Sequence, residues 1–461
     1  MNVIKPTPPS TTAEEKRALL KKLLSEGTSQ ARSPRLRVDQ PATSRSAAHE
    51  IPVEYYQFDQ SAEYLNLRAQ KQVADDLGIE YPFFKMIEPL KGATAIVNGR
   101  ECVTYSSYNY IGMSGDPRVN RAVNDAVDRY GSSASASRMV AGERPIHKEL
   151  ERALADHLGT EDAIAFVTGY LTGVTTIGHL MKAGDLILHD SLIHNCSLVG
   201  AKLSGARMLS FPHNDVSALD DLLGEHRASH RRVLIVAEGV YSMDGDIADL
   251  PGMIELKHKY KTYLMVDEAH SIGVLGRSGR GIGEHFGVDP RSVDLWMGTL
   301  SKALGGCGGY IAGSGPLIDY LRHTAPGFVY SVGMPPPIAA ASLEALAILR
   351  DEPSRLERLQ AISSLFLERA RARGLDTGLS RGTPIVPVMV RDSRRCGFLA
   401  QALYKRGINV QPIIFPAVED HASRLRFFLT SLHTETQVTT TVDAVAQELG
   451  RILGRPTPGL D

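Results

Sequence analysis

Helical stretches alternate regularly with short apolar strands through the middle of the chain, between residues 116 and 337. Apolar segments of strand length lie at residues 163–167, 185–188, 233–237, 263–266, 295–297 and 310–312. Strands that are separated by helices pair mainly in parallel and form a sheet with helices on both faces. The sequence therefore predicts an α/β fold with a mostly parallel, doubly wound central sheet. In such a sheet the ligand binds at the carboxyl ends of the strands.

The flanking segments lead us to predict four parts, namely residues 1–50, 51–115, 116–337 and 338–461. The last part begins with a helix at 339–350 and continues with strands near 385–390 and 425–429. We therefore expect a smaller C-terminal α+β domain beside the large domain of residues 116–337.

The first 115 residues differ in composition from the rest of the chain. Residues 1–50 are rich in Pro, Ser and Thr, which predicts a flexible extension. Within it, residues 12–24 have a capping box and a leucine stripe, the pattern of a short amphipathic helix. Residues 51–88 are predicted to be a helical arm, and a hairpin with an Asn98-Gly99 turn follows.

Charge and cysteine content exclude several classes of function. The chain has 51 basic and 52 acidic residues, a balance that does not favour nucleic acid or an anionic membrane as partner. No apolar run has the length of a membrane span. The four cysteines are far apart, so we expect reduced thiols in a cytoplasmic protein and no metal site.

One lysine follows the strand at 295–297, in a stretch that combines hydroxyl residues with glycines. This stretch, 299–309, reads TLSKALGGCGG and contains Thr299 and Lys302. Hydroxyl groups can donate to an anion, and glycines let the backbone approach a ligand closely. A surface lysine before a flexible loop is the simpler interpretation; a lysine that forms a Schiff base is the functional one.

The strand at 263–266 delivers Asp267 to its carboxyl end, with His270 three residues later. A buried carboxylate there can keep a pyridine nitrogen protonated, which strengthens the ring as an electron acceptor. His270 could bind a phenolic oxygen on the same ring. An ordinary strand-end carboxylate with a capping histidine is the alternative. The lysine that follows the next strand favours the functional interpretation.

Three further strand ends carry polar groups. Gly169 and Tyr170 open a helix whose first N–H groups suit a phosphate, although this motif alone is weak. His194 follows the strand at 185–188, where an imidazole can stack on a planar ligand or serve a structural role. Ser242 follows the strand at 233–237 and is expected at the same edge of the sheet.

Taken together, these stretches resemble the pyridoxal-phosphate (PLP) enzymes of fold type I and, within them, the α-oxoamine synthases. That family includes serine palmitoyltransferase, 5-aminolevulinate synthase and 8-amino-7-oxononanoate synthase. The resemblance rests on SYNYIGMSGDP (107–117), GSSASASRMVAGERPIHKELE (131–151), EGVYSMDGD (238–246), VDEAHSIGVLGRSGRG (266–281), TLSKALGG (299–306), YSVGMPP (330–336) and RLRFFLTSLHT (424–434). These stretches cover nearly everything from about residue 60 to the end of the chain.

The resemblance implies a role for each matching residue. Lys302 would bind PLP as a Schiff base, Asp267 would pair with the ring nitrogen, His270 would contact the phenolic oxygen and His194 would stack on the ring. The phosphate would be held by Gly169, Tyr170 and Thr299, with Ser331 reaching in from a second subunit, and Ser242 would complete the cofactor site. Asn109 and Arg426 would face the amino-acid substrate, and Arg426 would bind the carboxylate of that substrate. A surface ion pair is the alternative for Arg426.

The implied reaction condenses an α-amino acid with an acyl thioester and loses CO₂, which gives an α-amino ketone. The thiol would belong to coenzyme A or to an acyl carrier protein, and the enzyme would be a homodimer. The helix at 12–24 would recognise the carrier protein; the alternative is that its leucine stripe packs on the protein's own surface or on the dimer partner. The sequence most resembles serine palmitoyltransferases and synthases of polyketide pathways. The N-terminal arginine of oxononanoate synthases is absent at 76–79. The alternatives are a fold type I aminotransferase and a cofactor-binding scaffold subunit.

Overall fold

The computed structural model describes residues 51–76, 78 and 80–454. The chain divides into two compact units, Met1–Gln70 and Lys71–Asp461. The helix predicted at 12–24 lies outside the described residues. In the described part of the first unit, two short 3-10 turns precede a helix that continues into the second unit.

The strands of the second unit form three sheets. In chain order they are β1 (Ile87–Pro89), β2 (Thr94–Val97), β3 (Arg100–Thr104), β4 (Asp162–Phe166), β5 (Leu186–Asp190), β6 (Arg207–Phe211), β7 (Val233–Glu238), β8 (Tyr263–Asp267), β9 (Leu295–Thr299), β10 (Gly309–Gly313), β11 (Ile385–Met389), β12 (Ile408–Asn409), β13 (Gln411–Ile413) and β14 (Arg424–Phe428). The six strands predicted between residues 116 and 337 are all present, and β6 was missed.

The helices connect and cover these sheets. In chain order they are α1 (Ala62–Asp76), α2 (Pro117–Tyr130), α3 (Pro145–Leu158), α4 (Gly169–Leu180), α5 (Asn195–Ser204), α6 (Val216–His226), α7 (Leu250–Tyr260), α8 (Ile282–Phe286), α9 (Gly315–Thr324), α10 (Pro326–Val329), α11 (Pro336–Asp351), α12 (Ser354–Ala372), α13 (Ser393–Lys405) and α14 (Glu435–Leu453). None of the described helices has the length and apolarity that crossing a bilayer requires.

The central sheet has seven strands in the order β4-β10-β9-β8-β7-β5-β6. All neighbours pair in parallel except β10, which is antiparallel to both β4 and β9. The fold is therefore the predicted mostly parallel α/β sheet with one reversed strand.

Both faces of this sheet are buried. Along β7, Val233, Ile235 and Ala237 pack into one hydrophobic core, and Leu234 and Val236 pack into another on the opposite face. Successive side chains of a strand point to opposite faces, so a continuous apolar run indicates helices on both sides. Helices α2, α3 and α11 pack together, and α4 packs on α5.

The C-terminal region forms its own core on a three-stranded antiparallel sheet, β11-β14-β13. Val388 of β11, Leu425 of β14 and Phe366 of α12 belong to this core, which also takes in Tyr105 from the loop after β3. This is the predicted α+β arrangement. The boundary after residue 337 stays a prediction.

The N-terminal arm is less helical than predicted. Helix α1 ends at Asp76, and Ile87–Pro89 is a strand that pairs antiparallel with β2. Pro82 explains why a helix does not continue, because proline lacks an N–H and disfavours helical geometry in the preceding residue. The hairpin prediction is confirmed, with Asn98 and Gly99 at φ 45° and 81° between β2 and β3.

Candidate active site

Two carboxyl groups meet at the carboxyl edge of the central sheet. Glu238 is the last residue of β7, and it lies in register with Asp267, the last residue of β8. Both are buried, and Asp267 Oδ1 accepts a hydrogen bond from the N–H of Ala269 at 2.9 Å. Parallel pairing of the two strands therefore places both acids where a ligand of this fold binds.

Lys302 lies in the closed loop that joins β9 to the antiparallel strand β10. The N–H of Leu300 donates to Gly308 O at 2.9 Å, and the N–H of Gly306 donates to Leu300 O at 2.8 Å. Gly305 has φ 61°, and a Cβ at this position would lie 2.8 Å from Met113 Cβ. The loop needs glycine there for both reasons.

The Lys302 side chain belongs to a chain of hydrogen bonds that ends in the core. Its Nζ lies 2.8 Å from His270 Nε2, and His270 Nδ1 lies 2.7 Å from the hydroxyl of Tyr110. An ammonium can only donate, so with Lys302 charged the imidazole accepts at Nε2 and carries its proton on Nδ1. Lys302 thereby sets the tautomer of His270, and the bond to Tyr110 fixes the orientation of its ring.

Burial shifts both bases of this chain towards their neutral forms. It lowers the pKa of Lys302 to about 8, although Asp267 and Glu238 act in the opposite direction. Burial, then the positive charges of Lys302 and Arg426, hold the pKa of His270 well below its usual value. A lysine that loses its proton near neutral pH is suited to act as a nucleophile or a base.

His194 is the N-cap of α5. Its Nδ1 accepts from the N–H of Cys196 at 3.3 Å and lies 3.0 Å from the Cys196 thiol. Burial lowers the pKa of His194, and Lys302 and Arg426 lower it further, while Asp267 raises it. The ring of Tyr170 lies edge-on at 6.4 Å between centroids. The cap fixes the imidazole at the same edge as Asp267.

The start of α4 meets the end of β9. Gly169 is the first residue of α4, and a Cβ there would lie 2.6 Å from Thr299 Oγ1. The N-cap residue Thr168 makes no side-chain cap bond, so the first helical N–H groups are left for another acceptor. Thr299 Oγ1 donates to Gly308 O and lies 2.8 Å from Ser301 Oγ. The helical N–H groups can hold a phosphate, and the Thr299 hydroxyl can join them if its proton turns from Gly308 O to the ligand.

Arg426 projects from β14 towards the turn after β7. Its Nη1 donates to the carbonyl of Ser242 at 2.8 Å, and its Cζ lies 4.7 Å from the centre of the Phe428 ring. Its Nε is buried without a partner, and no acid in the described part of the chain forms an ion pair with it. The surface ion pair considered for Arg426 is therefore wrong.

Asn109 and Ser331 occupy different surroundings. Asn109 lines a groove of about 1120 Å³ that also reaches Lys302, and its amide makes two hydrogen bonds to the backbone of Ser114. Ser331 follows α10, near Gly333, whose N–H donates to Ala136 O. No hydrogen bond between described residues links Ser331 to Lys302 or Thr299 within this one chain.

Sequence reasoning missed three residues of this site. Tyr110 binds His270 from 160 positions away, and the ring of Tyr108 lies 5.6 Å below Lys302 Nζ. Both belong to the stretch 107–117 that carried the resemblance. Glu238 is the first residue of the stretch 238–246 and ends the strand before it. Its position beside Asp267 could have been inferred from parallel pairing alone.

Known proteins are similar to this chain in sequence and in fold. Residues 100–445 match the aminotransferase class I and II family. An 8-amino-7-oxononanoate synthase from Symbiobacterium thermophilum is 40% identical over 82% of this chain and 95% of its own length. A serine palmitoyltransferase from Bacteroides ovatus is 36% identical over 80% of this chain and 92% of its own. The chain belongs to the α-oxoamine synthases.

Solved structures agree with this assignment. A serine palmitoyltransferase from S. paucimobilis with a bound PLP–myriocin aldimine is 32% identical, with a TM-score of 0.82 over 86% of this synthase and 99% of that protein. The predicted fold type I architecture is confirmed. The predicted acyl-transferring activity and PLP dependence are confirmed as well, in preference to the aminotransferase alternative.

Relatives of both names are similar to this synthase, so identity alone does not select between their reactions. The missing arginine at 76–79 bears on that choice, but residues 77 and 79 lie outside the described part of the chain. The interpretation that this chain does not have the activity of the oxononanoate synthases stays a prediction.

The residues of the site fit PLP. A lysine, a strand-end carboxyl and a helix N-terminus beside a hydroxyl converge on one edge of the sheet, and they match the aldehyde, pyridine nitrogen and phosphate of this cofactor. Two buried polar atoms near this edge, Glu238 Oε1 and Arg426 Nε, have no hydrogen-bond partner among the described residues. Buried polar groups are normally hydrogen-bonded, so these atoms indicate a ligand.

Proposed function

We propose that this synthase joins an α-amino acid to an acyl thioester through Lys302, Asp267 and Arg426. The observation that carries the proposal is their juxtaposition, namely a lysine of lowered pKa and a buried carboxyl group at one sheet edge, and a guanidinium on Ser242 O that pairs with no described acid. A bond forms between the amino-acid Cα and the thioester carbonyl carbon, and the C–S bond breaks. Loss of CO₂ from the former amino-acid carboxylate then gives the α-amino ketone.

When bound, PLP supplies an electron sink that stabilises negative charge at the substrate Cα. Lys302 would hold its aldehyde carbon, Asp267 its ring nitrogen and His270 its phenolic oxygen. His194 would cover the ring. Gly169, Tyr170 and Thr299 would bind its phosphate, and Ser242 would complete the site.

Lys302 is the base that removes the Cα proton. Because the pKa of Lys302 is about 8, its amine is neutral in about a tenth of the molecules near pH 7, which is enough for a base in rapid proton exchange. His270 Nε2 lies 2.8 Å from Lys302 Nζ, and burial keeps this imidazole neutral by lowering its pKa, so His270 does not oppose a positive charge on the lysine.

Arg426 binds the carboxylate of the amino acid. Its Nε is buried and unpartnered, and its Nη1 is anchored on Ser242 O, so the planar fork is held at the site edge. Its positive charge also lowers the pKa of His270 and Lys302. Asn109 on the groove wall faces the same substrate.

Replacing Arg426 with lysine should weaken amino-acid binding by about 10-fold to 100-fold, because the charge remains while the two-point hydrogen bond is lost. The dissociation constant of the amino acid, measured by titration of the holoenzyme, checks this. Arg391→Lys, in an exposed ion pair with Asp376, is the matched control and should bind normally. Unaltered affinity in Arg426→Lys would assign the carboxylate to another residue.

The groove above Lys302 suits an acyl thioester with an anionic thiol part. Ile87, Leu90 and Leu432 supply apolar wall, and Lys91 and Arg358 supply positive charge. Arg358 donates to the backbone carbonyls of Ser431 and His433, and no described carboxylate pairs with it. The phosphates of coenzyme A and of a carrier protein's phosphopantetheine arm share the chemistry that such cations bind.

A homodimer would bring Ser331 to the phosphate of the neighbouring subunit. The side chains around Ser331 support this, because Tyr330 is 86% and Val140 83% exposed, with Met139 and Val332 also exposed. The backbone bond from Gly333 to Ala136 holds these two segments together. Apolar side chains exposed in one patch are typical of a protein–protein interface.

The cytoplasm is the compartment we propose. All four cysteines are free thiols, three of them buried. Burial raises the pKa of Cys196 and of Cys396 to about 12, so both remain protonated and unreactive. These properties support a reducing compartment.

The carrier-protein partner is tested by deleting residues 1–50, which hold nine basic and five acidic residues. If the helix predicted at 12–24 docks an acidic carrier protein, turnover with a free small-molecule thioester should stay normal. The Michaelis constant for the carrier-bound acyl group should rise by about tenfold, since lost charge complementarity weakens encounter. An equal loss with both substrates, or a lower melting temperature, would show that this segment belongs to the fold.

A further inference from the structure

A second buried carboxyl group lies at the site, and the reaction described above does not use it. Glu238 is 2% exposed and ends β7 in register with Asp267. Its Oε2 accepts from the N–H of Ser242 at 3.2 Å, whereas its Oε1 is buried with no hydrogen-bond partner among the described residues. A buried carboxylate oxygen without a donor is destabilising, so this oxygen indicates a bound proton or a ligand group.

The positive charge around Glu238 is too small to neutralise two carboxylates, those of Glu238 and Asp267. Asp267 faces it from β8, and Lys302 is the cation that both carboxyl groups share. Burial first, and then the charge of Asp267, raise the pKa of Glu238 to about 8, against the effects of Lys302 and of the backbone N–H groups of Ser242 and His194. Two neighbouring carboxyl groups with one cation rarely both ionise, because the second charge is repelled by the first.

The other ionisable groups that face Glu238 are neutral. The thiol of Cys196 on α5 and the phenol of Tyr241 on the same turn both have their pKa raised, mainly by burial and partly by acidic neighbours that include Glu238. His194 on α5 has a lowered pKa and adds no lasting positive charge. Arg426, whose Nη1 donates to Ser242 O, is the other cation near this turn, and the proposed function assigns its charge to the substrate carboxylate, not to a second anion at Glu238.

We propose that Glu238 is a positioning residue that stays protonated while the enzyme works, so that it presents a neutral carboxyl donor to the PLP-bearing site and leaves Asp267 as the anion that faces Lys302. This inference rests on the proposed function for the identity of the site. Through Oε2 the same carboxyl group holds the turn whose Ser242 carbonyl anchors Arg426. Glu238 thus links the cofactor edge to the carboxylate-binding arginine.

The inference has a pH dependence with a defined sign. The neutral carboxyl group is present below its pKa of about 8 and is lost as the pH rises through that value. Above it, a second negative charge faces Asp267, and Oε1 can no longer donate. Because Lys302 titrates in the same range, the observed transition belongs to the pair, and a variant is needed to separate them.

Glu238→Gln keeps the shape of the protonated acid and cannot ionise. We expect its holoenzyme to match the unsubstituted protein in cofactor absorbance and in PLP dissociation constant near pH 7, within about twofold. Between about pH 7 and pH 9 the dissociation constant of the unsubstituted protein should rise by about tenfold more than that of Glu238→Gln, the effect of one ionisation. Glu255→Gln, an exposed acid on α7, is the control and should follow the unsubstituted protein.

Two results would overturn the inference. A tenfold change in PLP affinity already near pH 7 in Glu238→Gln would show that the ionised form is required. Identical alkaline changes in both proteins would show that Glu238 does not titrate there. Neither result bears on Lys302, so failure of this inference and failure of the proposed function are distinguishable.

Infrared spectroscopy of the unsubstituted holoenzyme tests the same point if the variant does not fold. A stretching band of a protonated carboxyl group should disappear through a transition near pH 8, above that of buried Glu268, whose pKa is raised to about 7. A spectrum without that band near pH 7 would contradict the inference.

Discussion

Replacing Lys302 with alanine should abolish condensation, with kcat lowered by about 10⁴-fold or more, because the variant loses both the amine that holds PLP and the base that moves the proton. Release of free thiol from the acyl thioester measures the turnover. The visible absorbance of the lysine-bound cofactor should disappear in the same variant. Its fold should persist, since the side chain makes one hydrogen bond, to His270.

The comparison with Lys202→Ala makes this result specific. Lys202 is an exposed residue of α5, and its loss should leave both turnover and absorbance unchanged. Full activity in Lys302→Ala would show that Lys302 neither holds PLP nor acts as the base. Loss of activity with a lowered melting temperature would instead indicate a structural role.

Replacing Asp267 with asparagine should slow exchange of the substrate Cα proton by about 10²-fold to 10⁴-fold. A carboxylate favours a protonated ring nitrogen and an amide does not, so the carbanion loses its stabilisation. Incorporation of deuterium from heavy water into the amino acid, followed by mass spectrometry, measures this rate without any thioester. The amide can still accept the hydrogen bond from Ala269 N–H, so the turn should survive.

Asp289→Asn is the control for this variant. Asp289 forms an exposed ion pair with Arg291, at the start of a short turn before β9, and its replacement should leave proton exchange unchanged. Unchanged exchange in Asp267→Asn would mean that Asp267 is only a structural residue of the strand end.

Much of the fold could be predicted because apolar strands alternate with helices, and both faces of the sheet are buried. The strand β6 was missed because it is an edge strand that begins with an exposed Arg207 and lacks a continuous apolar run. The reversed direction of β10 had a signal, since the short connection after Thr299 leaves no room for a parallel crossover.

The site residues that could be predicted are those at or just after the ends of strands. Lys302, Asp267 and His194 follow strands, and the parallel sheet brings them to one edge. The hydrogen bond between His270 and Tyr110 and the unpartnered oxygen of Glu238 depend on packing between distant segments, which periodicity does not report. The place of Ser331 depends on a second subunit, which one sequence does not describe.

The closed loop between β9 and β10 has a consequence for the entropy of ligand binding. Its ends are tied together by backbone bonds between Leu300, Gly306 and Gly308, so the backbone around Lys302 loses its conformational freedom when the protein folds. Capture of the cofactor then restricts only the lysine side chain, at a cost of about 0.5–1.5 kcal/mol for one immobilised side chain. An open loop of the same length would have several backbone torsions to fix in addition. Part of the entropy cost of cofactor binding in this synthase is thus met during folding, because the antiparallel strand β10 closes the loop that carries Lys302.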